Sequence, residues 1–181
     1  MRASVMLRWV VALTALTACD DGGSEGSPDA APPDAEEVPL EPCASPGVIF
    51  GYDDALASYE IAAGGDVPLI LGFQGFLFAQ VGLRSSASWG GIVMVRSVVR
   101  LEDGTEIAGS QPDTAVQPAG GAWQTEPVLV FINDVPRADL YDRPATLTLA
   151  APAGGCLLIA SLDVRLVEGG VQAAEDPPPV R

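Results

Sequence analysis

Four Gly-Gly pairs, at 64–65, 90–91, 120–121 and 154–155, cut the centre of this 181-residue chain into short apolar runs. Glycine reaches positive φ without steric penalty, so such pairs mark turns or bends. The runs lie at 47–50, 59–62, 67–71, 76–83, 92–101, 126–132, 145–149 and 156–167. They are rich in Val, Ile and aromatic residues, and none repeats every 3.6 residues over a useful length. Short β-branched runs bounded by turn residues are strands rather than helices.

Two hairpins are legible. Asp103-Gly104, inside 100–107, is the dipeptide preferred in two-residue type I′ turns. The second joins 145–149 to the run from Cys156 through Gly154-Gly155. In that last run Leu158, Ala160, Leu162, Val164 and Leu166 form one apolar face, with Asp163 and Arg165 opposite. That alternation is expected of a half-solvated antiparallel strand. Roughly seven to nine strands in about 125 residues predict an all-β domain, an antiparallel immunoglobulin-like β-sandwich. A small β-barrel or jelly roll is the alternative.

The amino terminus has another character. Arg2 and Arg8 precede the apolar stretch Trp9-Val10-Val11-Ala12-Leu13-Thr14-Ala15-Leu16. That stretch is too short to span a bilayer, which takes about 20 apolar residues, so 1–18 reads as a secretory signal. Leu16-Thr17-Ala18-Cys19 resembles the lipobox of bacterial lipoproteins. The resemblance implies that Cys19 takes a diacylglyceryl group, that the chain is cut before it and that the new amino terminus is acylated. Two or more acyl chains anchor stably where one does so only marginally. The implied place is the cell envelope, on a membrane through the lipid on Cys19, with the domain outside the cytoplasm. Asp20 is associated with inner-membrane retention in enteric bacteria, but sorting rules differ among groups, so inner and outer membrane both stay open.

After Cys19, residues 20–42 contain eight acids, no cation and almost no large apolar side chain. Such a segment cannot offset its ordering entropy, so 19–42 is expected to be a disordered acidic linker. It would reach about 75 Å extended, or about 27 Å as a coil. The folded domain is then expected at 43–168 and a disordered tail, with Pro177-Pro178-Pro179, at 169–181.

The segment from Leu71 to Arg84 (Leu-Gly-Phe-Gln-Gly-Phe-Leu-Phe-Ala-Gln-Val-Gly-Leu-Arg) resembles uncharacterised bacterial lipoproteins in which a Gly-Pro-Gln-Gly-type turn leads into a long strand ending in Arg. Phe73 stands where that pattern has proline. The likeness covers 66–167 in layout and only the turn in residues. It implies a β-sandwich lipoprotein and brings no activity.

Composition narrows the chemistry. The chain has no lysine and no histidine, and without 1–18 its seven arginines face 24 acids, a net charge of −17. A polyanion repels phosphate backbones, so no nucleic-acid partner is expected. Missing histidine removes the commonest general base and transition-metal ligand. Missing lysine removes Schiff-base chemistry and the phosphate-loop lysine. Ser85, Ser86 and Ser88 have no histidine and no Gly-x-Ser-x-Gly elbow. Paired carboxylates can hydrolyse glycosides, but Asp53, Asp54, Glu102 and Asp103 offer abundance without geometry. No enzyme and no cofactor is expected.

With Cys19 lipidated, Cys43 and Cys156 remain, and an even pair in an oxidising compartment predicts a disulfide. Closing a loop of about 112 residues is worth about 4–5 kcal/mol in the chain-entropy account. The loop acids Asp53, Asp54, Asn133-Asp134, Asp139 and Asp142 could hold Ca²⁺, but no EF-hand spacing occurs, and such aspartates usually form turns. No metal site is therefore assigned. Trp89 and Trp123 border glycine-rich loops and, with Phe73 and Phe76, are the candidate binding aromatics, against the alternative of core filling. Tyr141 is a candidate structural latch of the tyrosine-corner kind. The expected function is a non-enzymatic envelope lipoprotein presenting an interaction or structural module to an envelope protein partner. A small-ligand module for carbohydrate or Ca²⁺ is the alternative.

Overall fold

The computed structural model describes residues 39–133 and 135–171. The lipobox, Cys19, most of the acidic linker, Asp134 and the tail from 172 lie outside the described residues. Between Glu41 and Val171 the fold is all-β. The strands are β1 (Val48–Tyr52), β2 (Ser58–Glu60), β3 (Gly65–Leu71), β4 (Leu77–Ser85), β5 (Gly91–Met94) and β6 (Arg96–Leu101). They continue as β7 (Glu106–Ser110), β8 (Asp113–Ala119), β9 (Ala122–Thr125), β10 (Val128–Ile132), β11 (Arg143–Ala153) and β12 (Cys156–Val171). A single 3₁₀ turn, Arg137–Asp139, precedes β11.

Turn chemistry sets the hairpins. Gly120-Gly121 and Gly154-Gly155 both have positive φ at each residue and join β8 to β9 and β11 to β12 as two-residue loops. That is the type I′ requirement. Asp103-Gly104 makes a hairpin too, but not the expected type I′ turn. Only Gly104 has positive φ, Gly104 N–H bonds to Leu101 O, and Leu101 N–H bonds to Thr105 O. This is a three-residue loop closed by a left-handed residue. Asp103 Oδ1 accepts the Thr105 N–H, which favours this geometry over the tighter turn. The same pair of backbone bonds closes 53–57, with Leu56 in the left-handed position, and 72–76, with Gly75 there.

All twelve strands join one curled, mixed sheet. The expected purely antiparallel pairing is corrected at β12, which runs parallel to β3 from Val164 to Val171. Parallel neighbours need long crossovers, and the 84 or more residues between β3 and β12 supply one that the hairpin pattern did not reveal. β5–β6 and β7–β8 form one long ribbon that bends at Val95, opposite Pro112. The β6–β11 ladder ends at Arg96↔Ala150. The next bonding position on β11 is Pro152, which has no N–H to give. β10 closes toward β7 through Asn133 N–H to Ile107 O.

β4 is the hub. Val81 pairs with both Gly51 and Val128, and Phe78 with both Ile70 and Phe131, so β1 and β3 share one edge of β4. β10 and β9 take the other edge. Leu77, Ala79, Val81 and Leu83 of β4 point into the core, where they meet Val128 and Val130, Leu147 and Leu149, and Leu158 and Leu166. On the opposite face Phe50, Tyr52, Ile70 and Phe78 are also buried, a second thin apolar layer.

Both ends of the domain extend past the sequence boundaries. Leu157 N–H bonds to Glu41 O and Cys43 N–H to Leu157 O, so 41–42 belong to the domain and not the linker. β12 carries on through 169–171, pairing Val171 with Leu71, where the tail was expected. Backbone pairing requires no apolar side chain, which is why composition placed both limits too far inward. Cys43 and Cys156 form the expected disulfide, fastening the domain's first residues to the start of β12.

Candidate functional site

Two features stand near the end of the domain where β3 meets β4. The first is the 72–76 turn. Gly72 N–H bonds to Phe76 O, Gly75 N–H bonds to Gly72 O, and Gly75 takes φ +86°. Gln74 keeps negative φ, so Phe73 occupies the second position of a type I turn, where proline is favoured. The pattern's proline therefore has a conformational role that Phe73 gives up. In exchange the turn displays two rings, Phe73 70% exposed and Phe76 57% exposed. Arg137 Nη2 donates to Gly75 O and holds the turn from outside. Phe131, also exposed, leans on buried Phe78 with ring centroids 5.8 Å apart.

The second feature is a notch in the sheet. β1 leaves β4 after Gly51↔Val81, and β3 leaves it after Ile70↔Phe78. Continuing either register brings Tyr52 or Pro68 opposite Gln80. Pro68 has no N–H for the ladder, so β3 turns away to follow β12. What remains is a cavity of about 270 Å³ lined by Tyr52, Asp53, Asp54, Tyr59, Pro68, Ile70 and Gly170. Burial holds both the Tyr52 and the Tyr59 phenol above the ordinary value, and the Asp53 charge adds to the effect on Tyr59. Tyr52 Oη donates to Thr125 O across β4, and Thr125 Oγ1 accepts the Leu83 N–H. Gln80 Oε1 is buried, with no hydrogen-bond partner among the described residues.

The residues singled out from sequence fare differently. Trp89 is 4% exposed and its Nε1 donates to Trp123 O. It fills the core, and Trp123 is half-buried against the same core, so neither displays a ring as Phe73 and Phe76 do. Asp53 Oδ1 accepts the Ala55 and Ala57 N–H groups, the turn-forming use of a loop aspartate. Asp103 serves Thr105 in the same way, and its pKa is lowered by that backbone N–H. Asp139 and Asp142 lie in the loop before β11, and Asn133 follows β10. No group of three or more Cys, Asp or Glu among the described residues is placed to hold a metal ion. Ser85 is buried, its Oγ accepting the Ala87 N–H, while Ser86 and Ser88 are exposed. Tyr141 is half-buried against the core. The hydroxyl-to-backbone latch belongs instead to Tyr52, which sequence reasoning did not single out. Its signal was local: Phe50-Gly51-Tyr52 alternates large and absent side chains on one strand.

No helix among the described residues is long and apolar enough to cross a membrane. No protein-family model matches the chain, and no curated protein is significantly similar to it.

Proposed function

We infer that the chain is a lipid-anchored envelope lipoprotein whose β-domain is a non-enzymatic interaction module, docking a protein partner at the 72–76 turn. The observation that carries this reading is the exposure of Phe73 and Phe76 on a turn closed by two backbone bonds. Rings fixed on a rigid loop lose little entropy on binding, and aromatic anchors of this kind dominate interface energies. The Cys43–Cys156 disulfide supports a domain working in an oxidising compartment. Cys43 is fastened at the Cys156 end of β12, and Val171 at its other end pairs with Leu71 beside the turn. We further read the curled sheet as a sandwich, one wall centred on β4 and β10 and the other on β11 and β12, both filling one core.

In-cell crosslinking of the full chain tests the reading. A partner captured by the wild type, and lost from both the Cys19→Ala form and the Phe73→Ser/Phe76→Ser form, is the expected result. Capture that survives the Phe replacements sinks the docking assignment.

A further inference from the structure

The notch beside β4 has a composition that selects one ligand chemistry. It is lined by Tyr52 and Tyr59 together with Pro68 and Ile70. Its charged lining residues are Asp53 and Asp54, and no arginine lines it. Asp53 uses Oδ1 on two backbone N–H groups of its own turn. Asp54 makes no hydrogen bond or ion pair among the described residues. The floor is backbone at Gly170, where a Cβ would stand 3.7 Å from Asp54 Oδ2.

Each part favours the same guest. Aromatic faces attract cations through the ring quadrupole, and aromatic cages with a carboxylate are the physical recipe for alkylammonium groups. An anion would meet two carboxylates, and a neutral apolar guest would desolvate them without return. The net charge of −15 raises the local concentration of cations and steers them inward.

We propose that the Tyr52–Tyr59–Asp54 notch binds an organic cation, an alkylammonium or guanidinium group carried on an apolar stem. The group can arrive free or as a Lys or Arg side chain of a protein. This site is separate from the Phe73–Phe76 turn, so it stands whether or not that turn docks a partner.

The test is amide NMR of the ¹⁵N-labelled full chain bearing Cys19→Ala. One arm titrates tetramethylammonium chloride and the other the peptide Ala-Ala-Lys-Ala-Ala, each against sodium chloride at matched ionic strength. Saturable shifts at Asp54, Tyr59 and Gly170 are expected in at least one arm, and the tighter arm names the source. Asp54→Asn, which removes one of the two carboxylate charges, should weaken that binding about fivefold, the scale of one partly exposed ion pair. Gly170→Val, which places a side chain in the notch, should abolish it. No saturable shift in either arm overturns the proposal. So do shifts that persist in both variants, because they report only the diffuse acidic surface.

Discussion

Gly51 and Gly82 each lie beneath the ring of a cross-strand partner, Tyr59 and Phe50. A Cβ at Gly82 would sit 2.4 Å from the Phe50 ring, which is 1% exposed and has the Arg84 guanidinium over it, 4.7 Å from its centroid. Phe50 has nowhere to go, so Gly82→Ala should cost about 1–3 kcal/mol, the range for overpacking, in chemical denaturation. At Leu56 the strain runs the other way. Its φ of +60° is held with an exposed side chain, so Leu56→Gly should raise stability by about 1 kcal/mol. Tyr52→Phe deletes the bond to Thr125 O and should cost about 1 kcal/mol at neutral pH. The Tyr52 pKa is raised in the native state, so its contribution is complete below the unfolded value near 10 and is lost as pH rises through the native value. Wild type should therefore lose stability in alkali more steeply than Tyr52→Phe, as pH-dependent melting would reveal.

Between residue and fold, the turns and strand ends were partly legible. The Gly154-Gly155 hairpin and the inward face of β12 follow from alternation, and Leu158, Ala160, Val164 and Leu166 are buried as that pattern demands. β8 and β9 escaped notice because 113–125 is interrupted by Pro118 and polar Gln117 and Gln124, which an exposed or hydrogen-bonded position tolerates. The run at 92–101 divides into β5 and β6 because the ribbon bends at Val95, which periodicity does not encode. The parallel β3–β12 pairing was hidden for a different reason: register between segments a hundred residues apart is set by the whole core. At the 72–76 turn, Phe73→Pro offers a clean separation of roles. It should stabilise the domain by about 0.4–1 kcal/mol, because proline presets the backbone this position already has. It should also weaken partner capture by removing an exposed ring. A loss of stability would show that the turn is not the type I form.

For the whole molecule, the candidate site was the least legible part. Trp89 and Trp123 are candidates because they border glycine-rich loops, yet large rings beside glycines also fill cores, and their contacts decide between the two. Phe73 and Phe76 were legible as candidate binding aromatics, but their exposure was not, and the notch depends on two strands sharing one edge of β4. The disulfide was legible from cysteine parity once the lipobox resemblance set Cys19 aside. Replacing Cys43 and Cys156 together with Ser should cost about 2–5 kcal/mol and release the segment leading to the linker from β12. In the role proposed above, the stapled domain presents its aromatic turn to a partner. Quantitative crosslinking in cells, comparing wild type with Phe73→Pro at equal abundance, tests it most directly. The same membrane-fraction level and a several-fold loss of the crosslinked partner are expected. Unchanged crosslinking to the same partner would contradict it.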